Sequence, residues 1–341
     1  MRENTCRTGS NCFEQNALRT AVRNAGPPPI MNKKIALLFA GQGAQVVGMG
    51  RDLAQNYPAA AELFRRADEI LGRPLTRITF EGPEEELTKT ANCQPALYVH
   101  GLACLAAFRA EAGDFAAHAA AGLSLGEFTA HAAAGTFDFE TGLQLVAQRA
   151  QFMQEACDTT EGAMAAMIGA DENAVRDLAA QTDVDVANLN SPGQVVISGE
   201  SSKVALAVSL AKEAGVRRAT LLNVAGAYHS RLMRSAYEKL ADVLQVTTIN
   251  PPKFSVICNI DAQPVHEPER IRETLREQVT GTVRWTETIE HLIDQEGCES
   301  FLELGPGAVL AGLVNRTRKG FPVTSVSDVA SLRAAVAALK S

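Results

Sequence analysis

The chain has 341 residues, a length that suits one or two domains. Hydrophobic residues make up 46% and charged residues 21%, an ordinary balance for a globular protein that excludes disorder along the whole chain. The formal net charge of −7 argues against a nucleic-acid-binding protein, and no apolar run approaches the ~20 residues that a membrane span needs.

Residues 1–31 predict a leader rather than part of the fold. They carry four arginines against two glutamates, are rich in Asn, Thr and Ser, and close on Gly26-Pro27-Pro28-Pro29. No continuous apolar core marks a secretory signal. This composition is typical of an organelle transit peptide, and a disordered extension without a targeting role is the alternative.

Folded sequence begins near Lys33. An apolar run predicts a buried strand over 35–40, followed by a Gly-rich turn, and helical spacing follows over 57–71 and 95–111. A second small, apolar strand at 116–123 leads through another Gly-rich turn into a helix that ends near Ala134. Close to the C-terminus, the pattern predicts a strand at 301–304, a turn at 305–307 and a helix at 309–316.

The pattern between these parts predicts a small inserted domain at 158–225. Its strands and helices alternate in the order β-α-β-β-α-β, which is that of a ferredoxin-like unit. The predicted elements are strands at 162–169, 184–188, 195–198 and 219–224 and helices at 172–181 and 202–214. We therefore expect an α/β protein in which residues 32–157 and 226–341 form one large catalytic domain around the insert.

Seven cysteines are scattered along the chain without a C-x-x-C pair. Their odd number and spacing favour a reducing compartment over a disulfide framework or a zinc site. No metal site is expected.

The segment Gly122-Leu123-Ser124-Leu125-Gly126 matches G-x-S-x-G between a predicted strand and a predicted helix. A serine on such a tight turn points its hydroxyl outward, and the helix N-terminus stabilises a developing oxyanion. The alternative is a serine that caps the helix on a Gly-rich turn.

A nucleophilic serine needs a base, and His229 is the best-placed histidine. It follows the last strand of the insert and opens a predicted helix at the domain junction, where sites tend to form. A helix-capping imidazole is the alternative for His229. The other histidines fall in predicted helices, in the strand before the serine or in charged stretches that we expect to be exposed: His100, His118, His131, His266 and His291.

The Gly-rich turn at 41–45 follows the first strand. A dinucleotide fingerprint needs its third glycine at position 46, which is Val46, and no G-K-[ST] of a P-loop is present. The turn can instead bring a backbone N–H beside a nucleophile.

Seven segments together carry a family pattern in one order: FAGQGAQ, AGLSLGE, LVAQRAQFMQ, NLNSPGQVVISG, GAYHSRLM, EQVTGTVRW and ELGPGAVLAGLV. Between about residues 33 and 318 the chain resembles the malonyl-CoA:acyl carrier protein transacylases, the malonyltransferases of type II fatty-acid synthesis. The resemblance implies a hydrolase-like α/β domain with a parallel sheet core plus the ferredoxin-like insert, with the site between them.

By this resemblance, Ser124 matches the acyl-accepting nucleophile and His229 its general base. Gln278 matches the residue whose backbone carbonyl orients that histidine. Gln42 and Leu125 match the two residues whose backbone N–H groups form the oxyanion hole.

Arg149 matches the arginine that binds the malonyl carboxylate. A guanidinium grips a carboxylate through two parallel hydrogen bonds, whereas an acetyl group would leave a buried cation unpaired. Periodicity alone would make Arg149 an exposed helix residue.

Two positions depart from the family pattern. Leu123 stands where many members have a histidine before the nucleophile, and Tyr228 stands where members usually have phenylalanine before the catalytic histidine. The Tyr228 hydroxyl bears on acyl selectivity, because this residue lines the acyl pocket by family analogy.

The implied reaction is ping-pong transfer of malonyl from malonyl-CoA to the phosphopantetheine thiol of acyl carrier protein, through a malonyl-serine. Malonyl-CoA is a substrate, so no cofactor is expected. We expect a monomer whose partner is acyl carrier protein, without nucleic acid or membrane insertion. The GLSLGE form resembles plant and algal plastid members more than most bacterial ones, which favours the plastid stroma, with the mitochondrial matrix as the alternative.

Three other functions stay open. One is a discrete polyketide-type acyltransferase, and another is a non-catalytic carrier-binding scaffold. The third is a serine hydrolase of acyl thioesters, which would usually supply an acid between Ser124 and His229 in chain order. Asp183 and Asp185 lie in that interval, but inside the insert.

Carrier proteins are usually acidic, so docking to this acidic chain needs a local positive surface. Charge clustering alone suggests two sets of basic residues for it: Arg217 with Arg218, and Arg316 with Arg318 and Lys319.

Overall fold

The computed structural model describes residues 33–113 and 115–340, and over these ranges it contains ten strands and fourteen α-helices. The leader predicted over residues 1–31 lies outside the described residues. The strands are β1 (Ile35–Phe39), β2 (Ala119–Gly122), β3 (Gly162–Ile168), β4 (Asp185–Ser191), β5 (Gln194–Glu200), β6 (Arg218–Leu221), β7 (Ser255–Ile257), β8 (Pro264–Val265), β9 (Ser300–Leu304) and β10 (Val323–Val326).

The helices include one of 23 residues, α5, and a 3-10 turn at Arg231–Met233 precedes α10. They are α1 (Arg51–Asn56), α2 (Pro58–Leu71), α3 (Leu75–Glu81), α4 (Glu84–Thr88), α5 (Thr90–Ala112), α6 (Leu125–Ala133), α7 (Phe139–Asp158), α8 (Glu172–Gln181), α9 (Ser201–Leu210), α10 (Arg234–Val246), α11 (Pro268–Glu277), α12 (Trp285–Asp294), α13 (Val309–Thr317) and α14 (Val329–Lys340). No helix in the described part of the chain is long and apolar enough to cross a membrane.

The large domain is built on a six-stranded sheet with the order β10-β9-β1-β2-β7-β8. Neighbouring strands are parallel except β7 and β8. Every residue of β1 is buried, because helices cover both faces of a parallel sheet. Leu37 and Phe39 face the larger core, whereas Leu38 packs on the opposite face in a cluster with Trp285. The carboxyl ends of β1, β2 and β7 therefore meet at one edge.

Helix α5 begins five residues earlier than the sequence predicts, so Pro95 lies inside it rather than at its start. A proline removes the N–H that would bond the carbonyl four residues back, here that of Ala91. Arg73 compensates, since its Nη2 donates to the Ala91 carbonyl at 2.6 Å. This long-range partner allows the helix to continue through a residue that normally marks a helix start.

The insert contains a four-stranded antiparallel sheet with the order β4-β5-β3-β6. This is the strand order of a ferredoxin-like unit, so the predicted fold class is confirmed. The limits 158–225 stay a prediction. The unit has its own core, in which Met167, Val175 and Ile197 are buried. Its last strand is shorter than predicted and ends at Leu221, because the next residues leave the sheet to line a cavity.

The outer edge of the insert is tied to the large domain through Val283. The backbone N–H of Leu189 in β4 donates to the Val283 carbonyl at 2.9 Å, and the Val283 N–H donates to the Ala187 carbonyl at 2.8 Å. The segment between α11 and α12 thus continues the small sheet, and it begins with Gln278. The segment therefore joins Gln278 to the edge of the insert.

The contact between α6 and β1 generates a stability prediction. A Cβ atom on Gly126 would lie 2.2 Å from the Phe39 carbonyl oxygen, which is backbone and cannot turn away, whereas a Cβ on Gly312 in α13 meets nothing within 4 Å. Gly126→Ala should lower the free energy of unfolding by about 3 kcal/mol or more. The same change at Gly312 should raise it by roughly 0.5–1 kcal/mol, since alanine restricts the unfolded chain.

Urea denaturation followed by circular dichroism measures both variants. If Gly126→Ala changed the free energy of unfolding as little as Gly312→Ala does, the close approach of α6 to β1 would be contradicted.

Candidate active site

Ser124 lies on the turn between β2 and α6 with φ 53° and ψ −106°, a conformation that non-glycine residues rarely adopt. The two glycines of the motif permit the turn, because a Cβ on Gly122 would lie 1.9 Å from the Gly126 carbonyl carbon. Ser124 occupies the N-cap position of α6 but makes no side-chain capping bond. Its hydroxyl is thus left for another partner, and the helix-capping alternative is wrong.

Asn259 holds this turn from both sides. Its Oδ1 accepts a hydrogen bond from the Ser124 backbone N–H at 2.7 Å, and its Nδ2 donates to the Gly122 carbonyl at 2.9 Å. Sequence reasoning missed Asn259. The available signal was its place two residues after β7, since β2 and β7 are adjacent parallel strands whose carboxyl ends share an edge.

The Ser124 hydroxyl oxygen lies 2.7 Å from Nε2 of His229. On the other side of the ring, Nδ1 lies 2.8 Å from the backbone carbonyl oxygen of Gln278. A carbonyl only accepts, so Nδ1 carries the proton and Nε2 is free to accept one from the serine. His229 therefore has the tautomer of a general base and caps no helix; the next helical turn begins at Arg231.

The position of His229 favours the neutral ring. Burial and the positive charge of Arg149 lower its pKa to about 4, although the Gln278 carbonyl opposes this change. At neutral pH the imidazole is thus unprotonated at Nε2, as a base toward Ser124 must be.

Arg149 is 1% exposed and lies directly beside Ser124, not on a helix surface as periodicity alone indicates. Its Nη2 donates to the Ser124 hydroxyl at 3.0 Å and to Oε1 of Gln278 at 2.8 Å, and its Nη1 donates to Oε1 of Gln94 at 2.6 Å. The guanidinium lies 5.4 Å from the ring centroid of Phe128.

The charge of Arg149 has no ion-pair partner within 4.0 Å in residues 33–113 and 115–340, and over the same residues its Nε has no hydrogen-bond partner. Burial lowers the pKa to about 10, so the group remains a cation at neutral pH. A buried cation with neutral oxygen partners and an unused donor is suited to an anionic ligand.

A cavity of about 200 Å³ opens at Ser124, between the large domain and the insert. Gln42 and Leu125 line it, as does Arg149. Leu125 is the first residue of α6, where a backbone N–H has no acceptor within the helix. The insert contributes mainly apolar and amide side chains to the wall: Met164, Asn188, Asn190, Val196, Leu222, Asn223 and Val224.

The two residues that depart from the family pattern have local partners. The Tyr228 hydroxyl lies 2.6 Å from Oγ1 of Thr90, and burial raises its pKa to about 12. The added oxygen is therefore neutral and engaged. Leu123 packs against the apolar cluster that contains Trp285.

The remaining histidines are away from the cavity. His100 and His131 are buried in α5 and α6, where they bond Ser327 O and Thr136 Oγ1. His118 lies just before β2, and its Nε2 bonds the Glu296 carbonyl. His291, which we expected in an exposed stretch, has a side chain that is only 13% exposed.

Asp183 and Asp185, the two candidate acids between Ser124 and His229 in chain order, pair elsewhere. Arg231 contacts Asp185 at 2.8 Å and Asp183 at 2.6 Å. The proton of His229 Nδ1 faces a carbonyl oxygen, so the site differs from a Ser-His-Asp hydrolase.

Comparisons with known proteins agree with this geometry. Residues 36–337 match the family model of the acyl transferase domain. The malonyl CoA-acyl carrier protein transacylase of Bacillus subtilis is 44% identical over 315 residues, which cover 90% of this chain and 98% of that protein.

Two solved structures are similar across the same span. The malonyl CoA-acyl carrier protein transacylase of Coxiella burnetii superposes with a TM-score of 0.87 at 35% identity, covering 91% of this chain and 98% of that one. A malonyl-transacylase solved in complex with a type II PKS acyl-carrier protein gives a TM-score of 0.84 at 40% identity, covering 89% and 99%.

The family match spans most of the chain, and the relatives are covered over nearly their whole length. The chain belongs to the malonyl-CoA:acyl carrier protein transacylase family.

Proposed function

We propose that this protein transfers malonyl from malonyl-CoA to the phosphopantetheine thiol of acyl carrier protein. The observation that carries the proposal is the buried Arg149 guanidinium, 3.0 Å from the Ser124 hydroxyl and without an ion-pair partner in the described residues. A substrate with a carboxylate near its reacting carbonyl supplies the missing anion. Malonyl thioesters have that chemistry, and acetyl thioesters do not.

In the first half-reaction, Ser124 Oγ attacks the thioester carbonyl carbon while His229 Nε2 takes the hydroxyl proton. The backbone N–H groups of Gln42 and Leu125 bind the oxyanion, and losing one such donor typically costs ~10²–10³ in rate. The C–S bond then breaks, and the leaving CoA sulfur takes the proton from His229. The product is a malonyl ester on Ser124.

The second half-reaction reverses these roles. His229 takes the proton of the carrier's phosphopantetheine thiol, and the sulfur attacks the ester carbonyl. The C–O bond to Ser124 breaks, and the serine oxygen recovers the proton from His229. A base held by the neutral Gln278 carbonyl suits both directions, since it starts each step unprotonated.

The carrier must meet a positive surface on an acidic enzyme. Of the basic residues suggested for this role, Arg318 pairs with Asp294 at 2.6 Å and Arg316 contacts Gln194, so both are partly engaged. We keep Arg217, Arg218 and Lys319 with them as the proposed docking surface. The proposed carrier is supported by the relative that was solved with its acyl-carrier protein.

Fatty-acid synthesis is the proposed pathway, and the type II PKS relative supports a discrete polyketide-type transferase as a second candidate. The Arg-bearing, acid-poor composition of residues 1–31 supports an organelle transit peptide, and the GLSLGE form favours the plastid stroma as the proposed compartment. Imaging residues 1–31 fused to a fluorescent protein distinguishes it from the mitochondrial matrix.

Intact-mass analysis after mixing with malonyl-CoA tests the reaction. We expect a malonyl adduct that maps to Ser124, is absent from Ser124→Ala, and passes to holo acyl carrier protein on addition. Release of free malonate without transfer would instead support the hydrolase, and unchanged transfer by Ser124→Ala would support the scaffold.

Substitution of Arg149 tests the carboxylate contact. Arg149→Ala should lower kcat/KM for malonyl-CoA by about 10²-fold or more while activity on acetyl-CoA persists or rises, because the anion loses its partner. Arg149→Lys is the matched control, because lysine keeps the charge but cannot make two parallel hydrogen bonds. Its kcat/KM for malonyl-CoA should lie between those of the wild type and Arg149→Ala. A strong malonyl preference in Arg149→Ala would show that another group selects the acyl chain.

The pH dependence of acylation follows from His229. Its pKa is lowered to about 4, and protonation removes the base, so the single-turnover rate should stay nearly level from pH 7 to about 5 and fall toward pH 4. Rapid-quench measurements report the rate, with circular dichroism to confirm folding at each pH. A half-maximal rate near pH 6.5, the usual imidazole value, would contradict the proposed environment of the base.

A further inference from the structure

Gln278 connects three functional groups through one side chain and one carbonyl. Its backbone oxygen accepts from His229, and its Oε1 accepts from Arg149 Nη2 at 2.8 Å. Its Nε2 donates to the Ser124 carbonyl at 2.9 Å and to Oε2 of Glu127 at 2.6 Å. The side chain is fully buried, so no solvent replaces any of these partners.

The side-chain amide of Gln278 has an oxygen that accepts hydrogen bonds and an NH₂ group that donates them. Its surroundings allow only one of its two orientations. Ser124 O and Glu127 Oε2 are both acceptors, so the NH₂ must face them. The oxygen then faces Arg149, which only donates. Rotating the amide by half a turn would set the NH₂ against a cation and the oxygen against two other oxygens.

Glu127 supplies the shorter of the two contacts on the NH₂ side, at 2.6 Å against 2.9 Å for the Ser124 carbonyl. The same Oε2 accepts from the Asn259 backbone N–H at 3.0 Å, which fixes it in place. Glu127 is fully buried in the first turn of α6 and does not line the cavity. It can therefore act on substrate only through the groups that it bonds, and of these Gln278 is the one that contacts Arg149.

We propose that Glu127 is a positioning residue that orients the Gln278 amide and thereby holds Arg149 in place for the substrate carboxylate. This inference rests on the proposed malonyl transfer. Keeping a carboxyl group in an apolar interior costs stability, and burial raises the pKa of Glu127 to about 8. The proposed role of Glu127 that outweighs this cost is selectivity for malonyl over uncharged acyl groups.

A double-mutant cycle on selectivity tests the proposal. The measured quantity is the ratio of kcat/KM for malonyl-CoA to that for acetyl-CoA, in Glu127→Leu, Gln278→Leu and the double variant. Each single change should lower the ratio by about 10-fold or more, since the Arg149 guanidinium loses its fixed oxygen partner. The double variant should be no worse than Gln278→Leu, because Glu127 acts through that amide.

Two further variants separate positioning from folding. Glu127→Gln keeps an oxygen that accepts from Gln278 and Asn259, so it should restore most of the selectivity ratio. Glu303→Leu is the matched control, because Glu303 is also a buried acid but binds the Leu310 and Ala311 N–H groups away from the cavity. It should lower the unfolding temperature and leave the selectivity ratio unchanged.

Should Glu127→Leu fail to fold, Glu127→Asp decides the matter, since its carboxyl is withdrawn by one methylene group and should still lower the ratio. An unchanged ratio in the folded Glu127 variants, or effects that add to those of Gln278→Leu, would overturn the proposal. A wild-type protein that forms no malonyl adduct at Ser124 would instead overturn the proposed function, and this inference with it.

Discussion

A guanidinium that is 1% exposed is costly to keep charged, and the protein surrounds the one on Arg149 with neutral oxygens from Gln94, Ser124 and Gln278. A carboxylate in contact with the guanidinium would have offset that cost more fully. Its absence from the described residues leaves part of the charge uncompensated beside the Ser124 hydroxyl. The same charge helps to lower the pKa of His229, so one cation influences both the proposed base and the proposed contact with the malonyl carboxylate.

The position of Ser124 depends on the backbone of its turn and on one side chain, that of Asn259. Ser124 has an unfavourable φ. The close contact between Gly122 and Gly126 and the two hydrogen bonds of Asn259 stabilise the turn in this conformation. The strand β1 lies so close to α6 that only glycine fits at position 126. The fixed backbone of this turn thus aims the hydroxyl at His229.

Sequence patterns identified Ser124 and His229, because a G-x-S-x-G turn and a histidine at a domain junction are local features. Gln278 and Arg149 were reached only through family resemblance, since a backbone carbonyl has no sequence signature and helical spacing alone would expose the arginine. Glu127 and Asn259 were missed altogether. Their partners lie more than 130 residues away in sequence, and side-chain bonds over that separation leave no periodicity to read. The start of α5 was misplaced for a similar reason, because Arg73 bonds the carbonyl that Pro95 leaves free.

The bond between the insert and Val283 bears on how this architecture can be recombined. The insert is continuous in sequence and has its own core, yet the backbone that extends its sheet belongs to the large domain and lies a few residues after Gln278, whose carbonyl bonds His229. A chimera that exchanged only the ferredoxin-like unit would pair a foreign β4 edge with the native segment around Val283. The interchangeable unit is therefore discontinuous, since it joins the insert to the stretch from Gln278 to Val283.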